Sequence, residues 1–261
     1  MPEGDAVYRA AKRLRQALDG RRLIRSDFRV PRYATADLRG RTVLTTVSRG
    51  KHLLTRVEGG LTVHTHLRME GSWRVGPAGR PVPRGDVVRL ILANADWQAV
   101  GTRLGMVDLL PTDHEDRVVG HLGPDLLGPD WDPALAVRNL LRAPRRTIGE
   151  ALLDQRVLAG IGTIWRAETL YAARMSPWRP VGSIPPEELE SLVAVAHRLM
   201  DASKDTPLPV TTGDPRPGRS LMVYGRARRP CRRCGSPISG GEMGSQPSER
   251  LVYWCPVCQH D

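Results

Sequence analysis

The sequence predicts an α+β protein of two domains, an N-terminal β-sandwich led by one helix and a C-terminal helical domain with a helix-turn-helix-like unit and a four-cysteine zinc finger. Three observations carry this prediction. One amphipathic helical period opens the chain, short β-prone runs fill Leu23 to Leu110, and helical periodicity returns near residue 133 before two Cys-x-x-Cys pairs. With 261 residues, the chain has room for two modest cores that need no covalent staples.

From Asp5 to Leu18, Val7, Ala10, Ala11, Leu14 and Leu18 share a helical face, and Arg9, Lys12, Arg13 and Gln16 surround the other. The runs RLIRSDFRV, RTVLTTVS, HLLTRV, LTVHTHL, VVRLILA and MVDLL then read as strands broken by turns. Pro111, Gly123-Pro124 and Gly128-Pro129 mark residues 113–132 as a connector after a domain at 1–112. Helical period follows in ALAVRNLL, IGEALLDQRVLAG and IWRAETLYAARM, and again from Pro186 to Met200, inside a helical domain at 133–225. Leu158-Ala159-Gly160-Ile161-Gly162 separates two of these segments by a glycine turn, as in a helix-turn-helix-like unit. The finger takes up 226–261.

The formal net charge of +11 favours a polyanionic partner, because neutralising phosphates releases condensed counterions. Only Lys12, Lys51 and Lys204 among the 39 basic residues are lysines. The first twenty residues carry four cations and no continuous apolar stretch, and no later run approaches a membrane span, so neither a secretory signal nor a span is expected; with all four cysteines in Cys-x-x-Cys pairs suited to a metal in a reducing compartment, a cytoplasmic setting is.

Cys231-x-x-Cys234 and Cys255-x-x-Cys258 supply four thiolates on two chelating turns, the donor set and spacing of one structural zinc ion. Four protein ligands leave no open position, so such a metal shapes a loop and does not activate water. Arginines surround it: Arg226, Arg228, Arg229, Arg232 and Arg233 near the first pair, and Arg250 in Ser248-Glu249-Arg250-Leu251 between the pairs.

The opening Met1-Pro2-Glu3-Gly4-Asp5 has two readings. In one, Glu3 and Asp5 merely favour the positive end of the first helix. In the other, loss of Met1 presents the secondary amine of Pro2 as a nucleophile, with a pKa of about 8 that leaves it partly unprotonated at neutral pH. Glu3 is then the adjacent proton donor and acceptor.

MPEGD, Arg49-Gly50-Lys51-His52, LLDQRVLAGIG with Glu168 beyond it, VYGR at 223–226 and the terminal finger with Arg250 resemble, in order and over most of the chain, the formamidopyrimidine-DNA glycosylase and endonuclease VIII family. The MPEG opening resembles the endonuclease VIII branch, and the sequence as a whole resembles its actinobacterial members. The resemblance implies a helix-two-turn-helix in the second domain and a DNA glycosylase and abasic-site lyase acting on damaged DNA as a monomer, with a structural zinc. It makes Pro2 the nucleophile, Glu3 the general acid/base, Lys51 a catalytic or phosphate-binding lysine, and Arg250 a DNA-gripping arginine. A flipped nucleotide leaves a void, for which the resemblance offers Met69, with Arg103 and Leu104 as further fillers. The turn from Gly160 to Gly162 would offer amides to phosphate, and Thr163 after it a hydroxyl.

Two features depart from the family pattern. Thr163 stands where asparagine is usual, and Arg68 and Glu70 flank Met69. The expected activity is removal of oxidised bases, pyrimidines preferred, by a Pro2 Schiff base with β,δ-elimination. An oxidised-purine enzyme and a non-catalytic zinc-finger lesion binder remain alternatives.

Overall fold

The computed structural model describes residues 2–245 and 249–260; Met1, whose removal the nucleophile reading requires, and Ser248 lie outside them. The chain forms two compact units. One comprises Pro2 and Ala6–His121; the other takes in Glu3–Asp5 and the chain from Leu122 onward.

Helix α1 (Gly4–Leu18), which lies in the first unit from Ala6 onward, buries Val7, Ala11, Leu14 and Leu18 of the face expected from its period, and Ala17 besides, while Ala10 is half-buried. Two antiparallel four-stranded sheets form the sandwich. The first has the order β1 (Arg25–Phe28), β6 (Val88–Ala93), β7 (Trp97–Thr102), β5 (Ser72–Pro77). The second has the order β2 (Val43–Arg49), β3 (His52–Val57), β4 (Leu61–His66), β8 (Met106–Pro111). Phe28, Leu90 and Leu92 from one sheet and Val43, Leu53, Val57 and Val63 from the other join the α1 side chains in one core.

Strands β5 and β7 were not among the expected runs. Their sequences, SWRVGP and WQAVGT, contain glycine, and β5 ends on proline, so local propensity for strand is weak. They become strands by pairing: β7 lies between β6, from Val88↔Thr102 to Ala93↔Gln98, and β5, from Ser72↔Thr102 to Pro77↔Trp97. After β8 the chain makes a short 3-10 turn and helix α2 (Asp116–Val119), held to the sandwich by Arg56, whose guanidinium donates to both oxygens of Glu115 at 2.9 and 2.7 Å.

The second unit contains α3 (Pro133–Leu141), α4 (Ile148–Ala151), α5 (Thr163–Ala172) and α6 (Pro186–Ser203), packed about Leu140, Ile148, Trp165, Leu192 and Met200. Proline at the first position and an Asp132 side chain accepting from Leu135 N–H at 2.9 Å start α3. The helical reading of IGEALLDQRVLAG is corrected: α4 lasts four residues. Beyond it Gln155 Nε2 donates to the carbonyls of Leu153 and Ile161, both at 2.9 Å, and Asp154 accepts the N–H of Arg156 at 3.0 Å. These side-chain bonds compete with the helical ladder and hold the segment as an ordered turn. The finger is an antiparallel hairpin, β9 (Ser239–Met243) with β10 (Arg250–Trp254). No helix among the described residues is long and apolar enough to cross a membrane.

Candidate active site

Glu3 is 2% exposed, although a carboxylate is costly to bury without partners. Its partners are the free amides of a helix. Oε2 accepts from Gly162 N–H at 2.9 Å and Trp165 N–H at 3.2 Å, and Oε1 accepts from Ile164 N–H at 2.8 Å. Glu3 therefore caps α5, where the helix dipole favours negative charge, and not the first helix as the bland reading had it. Gly162 makes this approach possible: a Cβ there would stand 2.3 Å from the Glu3 carboxyl carbon. The neighbouring backbone is equally close, with Gly4 N–H donating to Gly160 O at 2.9 Å, and Trp165 Nε1 donates to buried Asp5 at 3.0 Å. Pro2, half-buried, is covalently next to this fixed carboxylate.

The same contacts correct the phosphate-cradle expectation for Gly160, Gly162 and Thr163. The Gly160 amide donates to Gln155 Oε1 at 3.1 Å and that of Gly162 to Glu3, while Thr163 is buried with its hydroxyl 3.5 Å from Tyr224 Oη. Protein groups already use these donors, because the turn's work is to seat Glu3.

Lys51 occupies the tip of the β2–β3 hairpin. Arg49 pairs with His52, leaving a two-residue turn in which Gly50 takes φ 56, the glycine-first pattern of a tight hairpin. Behind it three histidines gather. His52 Nδ1 and His64 Nε2 are 2.8 Å apart, the His52 and His66 rings meet edge to face at 4.8 Å, and Asp108 Oδ2 lies 3.5 Å from His64 Nδ1. Burial, with neighbouring histidines and Arg68, pushes the His52 pKa down to about 3. Burial and the charges of Arg68 and Lys51 bring His66 to about 4. Both rings are neutral at physiological pH.

Met69 is 66% exposed in the Leu67–Gly71 loop between β4 and β5, as an inserting side chain has to be. Glu70, unexplained in the sequence, lies 3.8 Å from Arg103 Nε across an exposed pair. Leu104 is corrected: at 6% exposure it belongs to the sandwich core and is not presented for insertion.

Arg250 is exposed at the start of β10 and donates to Glu249 O at 2.9 Å. The adjacent Leu251 carbonyl accepts from Arg166, a fully buried arginine of α5 whose pKa burial lowers to about 10. Sequence reading did not single out Arg166; an arginine on an apolar helix was its one signal. Glu168, two residues on, is buried and accepts from the amides of Met222, Val223 and Tyr224 at 2.8, 2.9 and 2.9 Å and from the Thr211 hydroxyl. It ties both ends of the 211–224 loop to α5. Arg226 of VYGR is turned inward, donating to the carbonyls of Met222 and Pro230, and so braces the finger's entry.

The ligand atoms of Cys231, Cys234, Cys255 and Cys258 lie within 4.8 Å of one another, with Sγ pairs at 3.9 and 3.5 Å. Four thiolates bound tetrahedrally at about 2.3 Å stand roughly 3.8 Å apart, so the cluster is placed to hold a metal ion.

Comparison with known proteins matches residues 1–122 to the formamidopyrimidine-DNA glycosylase N-terminal domain and residues 122–206 to the H2TH domain of the same glycosylases. The chain is 56% identical to a probable endonuclease 8 2 of Streptomyces coelicolor, over 99% of this chain and 94% of that one. It is 45% identical to the DNA-(apurinic or apyrimidinic site) lyase Nei2 of Mycolicibacterium smegmatis, over 99% of each. Among solved structures, the Lactococcus lactis Fpg complexed with DNA containing N7-benzyl-Fapy-dG superposes with a TM-score of 0.82 over all of both chains at 23% identity, a likeness of fold.

Proposed function

Because the chain belongs to the formamidopyrimidine-DNA glycosylase family, we propose that it is a bifunctional DNA glycosylase and abasic-site lyase of base excision repair, acting on oxidised bases with a preference for pyrimidines. The observation that carries this reading is the seat of Glu3. Three amides fix its carboxylate, and consecutive Cα atoms stand about 3.8 Å apart, so the Pro2 amine stays within reach of that fixed group.

With Met1 removed, the Pro2 nitrogen attacks C1′ of a flipped nucleotide, the base departs, and an iminium links sugar to protein. Glu3 moves protons during ring opening, and β,δ-elimination then expels the two flanking phosphates in turn. Lys51, at its hairpin tip, acts on the phosphate or on a proton. Met69, with Arg103, fills the void in the duplex. Arg250 grips the backbone beside the lesion; Arg250→Ala weakens binding by about 1–3 kcal/mol, the usual scale of a charge-assisted contact. Zinc is the metal that suits four thiolates: Cys231, Cys234, Cys255 and Cys258 would hold it, and when bound it stiffens the hairpin that carries Arg250. The protein works as a monomer, with residues 1–112 as catalytic domain, 113–132 as connector, 133–225 as helical DNA-binding domain and 226–261 as finger.

Borohydride trapping on an abasic-site duplex tests the reading. The Met1-processed protein should give a covalent band that mass spectrometry maps to Pro2, and the Met1-retaining form should give none. Equal trapping by both forms overturns the Pro2 mechanism, and binding without any crosslink points to a non-catalytic lesion binder. Cleavage of duplexes carrying thymine glycol should exceed that of duplexes carrying 8-oxoguanine; the reverse order makes the protein an oxidised-purine enzyme.

A further inference from the structure

His66 ends β4 where the strand gives way to the loop that carries Met69. Its Nδ1 accepts the backbone N–H of Arg68 at 2.9 Å, and Arg68 sits at φ 56. That left-handed conformation is unfavourable for a residue with a Cβ and persists only where the surroundings over-determine it. Here the determinants are visible. Gly71 N–H closes the loop on Leu67 O at 2.9 Å, and Gly105 N–H bonds His66 O at 3.0 Å. Arg68 packs its methylenes over Gly105, where a Cβ would come within 2.1 Å of Arg68 Cγ. The torsion of Arg68 directs the chain into Met69, so whatever holds Arg68 sets where Met69 points.

His66 is itself held. It pairs with His52 in the β3–β4 register and meets that ring edge to face, and His52 in turn stacks on His64 with ring centroids 5.1 Å apart. His52 immediately follows Lys51, so one line of rings runs from the lysine hairpin to the methionine loop.

We propose that His66 is a positioning residue: its Nδ1 holds Arg68 in the left-handed turn that presents Met69, and its contact with His52 joins this loop to the Gly50-Lys51 hairpin. The proposal rests on the reading of Met69 as the residue that enters the duplex. An accepting Nδ1 requires a neutral ring with its proton on Nε2. Lys51 from the hairpin, Arg68 from the loop and the neutral imidazoles of His52 and His64 face His66, while Asp108 on β8 and Glu115 act on His64. Burial and the two cations keep the His66 ring neutral near pH 7.

The test uses H66F, which fills the site but accepts nothing, and H66N, whose Oδ1 replaces Nδ1. Met69 insertion is read from the fluorescence of 2-aminopurine opposite a tetrahydrofuran abasic analogue in a duplex, and lyase activity from cleavage of a single-stranded abasic oligonucleotide, which has no stack to enter. H66F should lose insertion and duplex excision by about 10- to 100-fold, the scale of a misplaced contact group, with single-strand cleavage within about twofold of the parent. H66N should recover most of the loss, and in a Met69→Ala background H66F should add nothing further. Normal insertion by H66F, failure of H66N to recover it, or additivity with Met69→Ala overturns the proposal. A parent protein that inserts Met69 and cleaves no abasic site contradicts the proposed activity and leaves the positioning role standing.

Discussion

At Gly162 the missing side chain is what lets the site form. A Cβ there would collide with the Glu3 carboxyl at 2.3 Å, and Glu3 has no room to yield while three amides hold both of its oxygens. Gly162→Ala is therefore expected to displace Glu3 and slow borohydride trapping by about 10²-fold, the order associated with an ångström of misplacement, while circular dichroism still reports the native helices. Normal trapping by this variant would mean that the seat of Glu3 does not govern the chemistry. Glycine in a GIG turn was visible in the sequence, but its purpose was not. A glycine at a helix start suits an incoming phosphate as well as an incoming carboxylate, and only the location of Glu3, 159 residues earlier, distinguishes them.

Among elements, β3 and β4 carry a pH dependence. His52 and His66 have pKa values of about 3 and about 4 in the fold against an ordinary 6.5, and burial also lowers that of His64 despite the opposing charge of Asp108. Unfolded, these rings bind protons below about pH 6.5; folded, they do not until the pH is far lower. The stabilisation is thus complete above pH 6.5 and is lost as the pH falls towards 4 and then 3. Urea midpoints should drop between pH 7 and pH 4.5, and His52→Gln should flatten that dependence in the first unit; an unchanged midpoint in the parent would contradict the buried neutral stack. The strands were only partly readable in advance. HLLTRV and LTVHTHL alternate well enough to be seen, whereas β7 is a strand through its pairing with β6 and β5, and β5 through its pairing with β7. The helical reading beyond α4 failed because Gln155 and Asp154 satisfy backbone groups that a helix would have used.

For the whole molecule, removal of metal is the perturbation with the widest reach. The hairpin of β9 and β10 is short, and Gly240 and Gly241 stand together in β9, so paired strands of this size are marginal without a clasp. Chelation under mild denaturant should change the fluorescence of Trp254, expose the 226–260 region to proteolysis and weaken DNA binding through loss of Arg250's support, with added zinc restoring all three. A finger that resists protease after complete metal removal would show that the cysteines are dispensable for its fold. The sequence by itself determined what depends on residue type at short spacing: the positive charge, the metal-ligand set, the amphipathic first helix, and the Pro2-Glu3 and Lys51 motifs. The tertiary structure alone decided what depends on distant segments meeting. It put Glu3 on the start of α5, aligned three histidines across two strands, gave Glu168 a loop more than forty residues away to hold, and buried Leu104. The reason is that a hydrogen bond or a packed ring needs a partner at about 3–5 Å, and that partner is chosen by the path of the whole chain, of which local propensity and spacing carry no record.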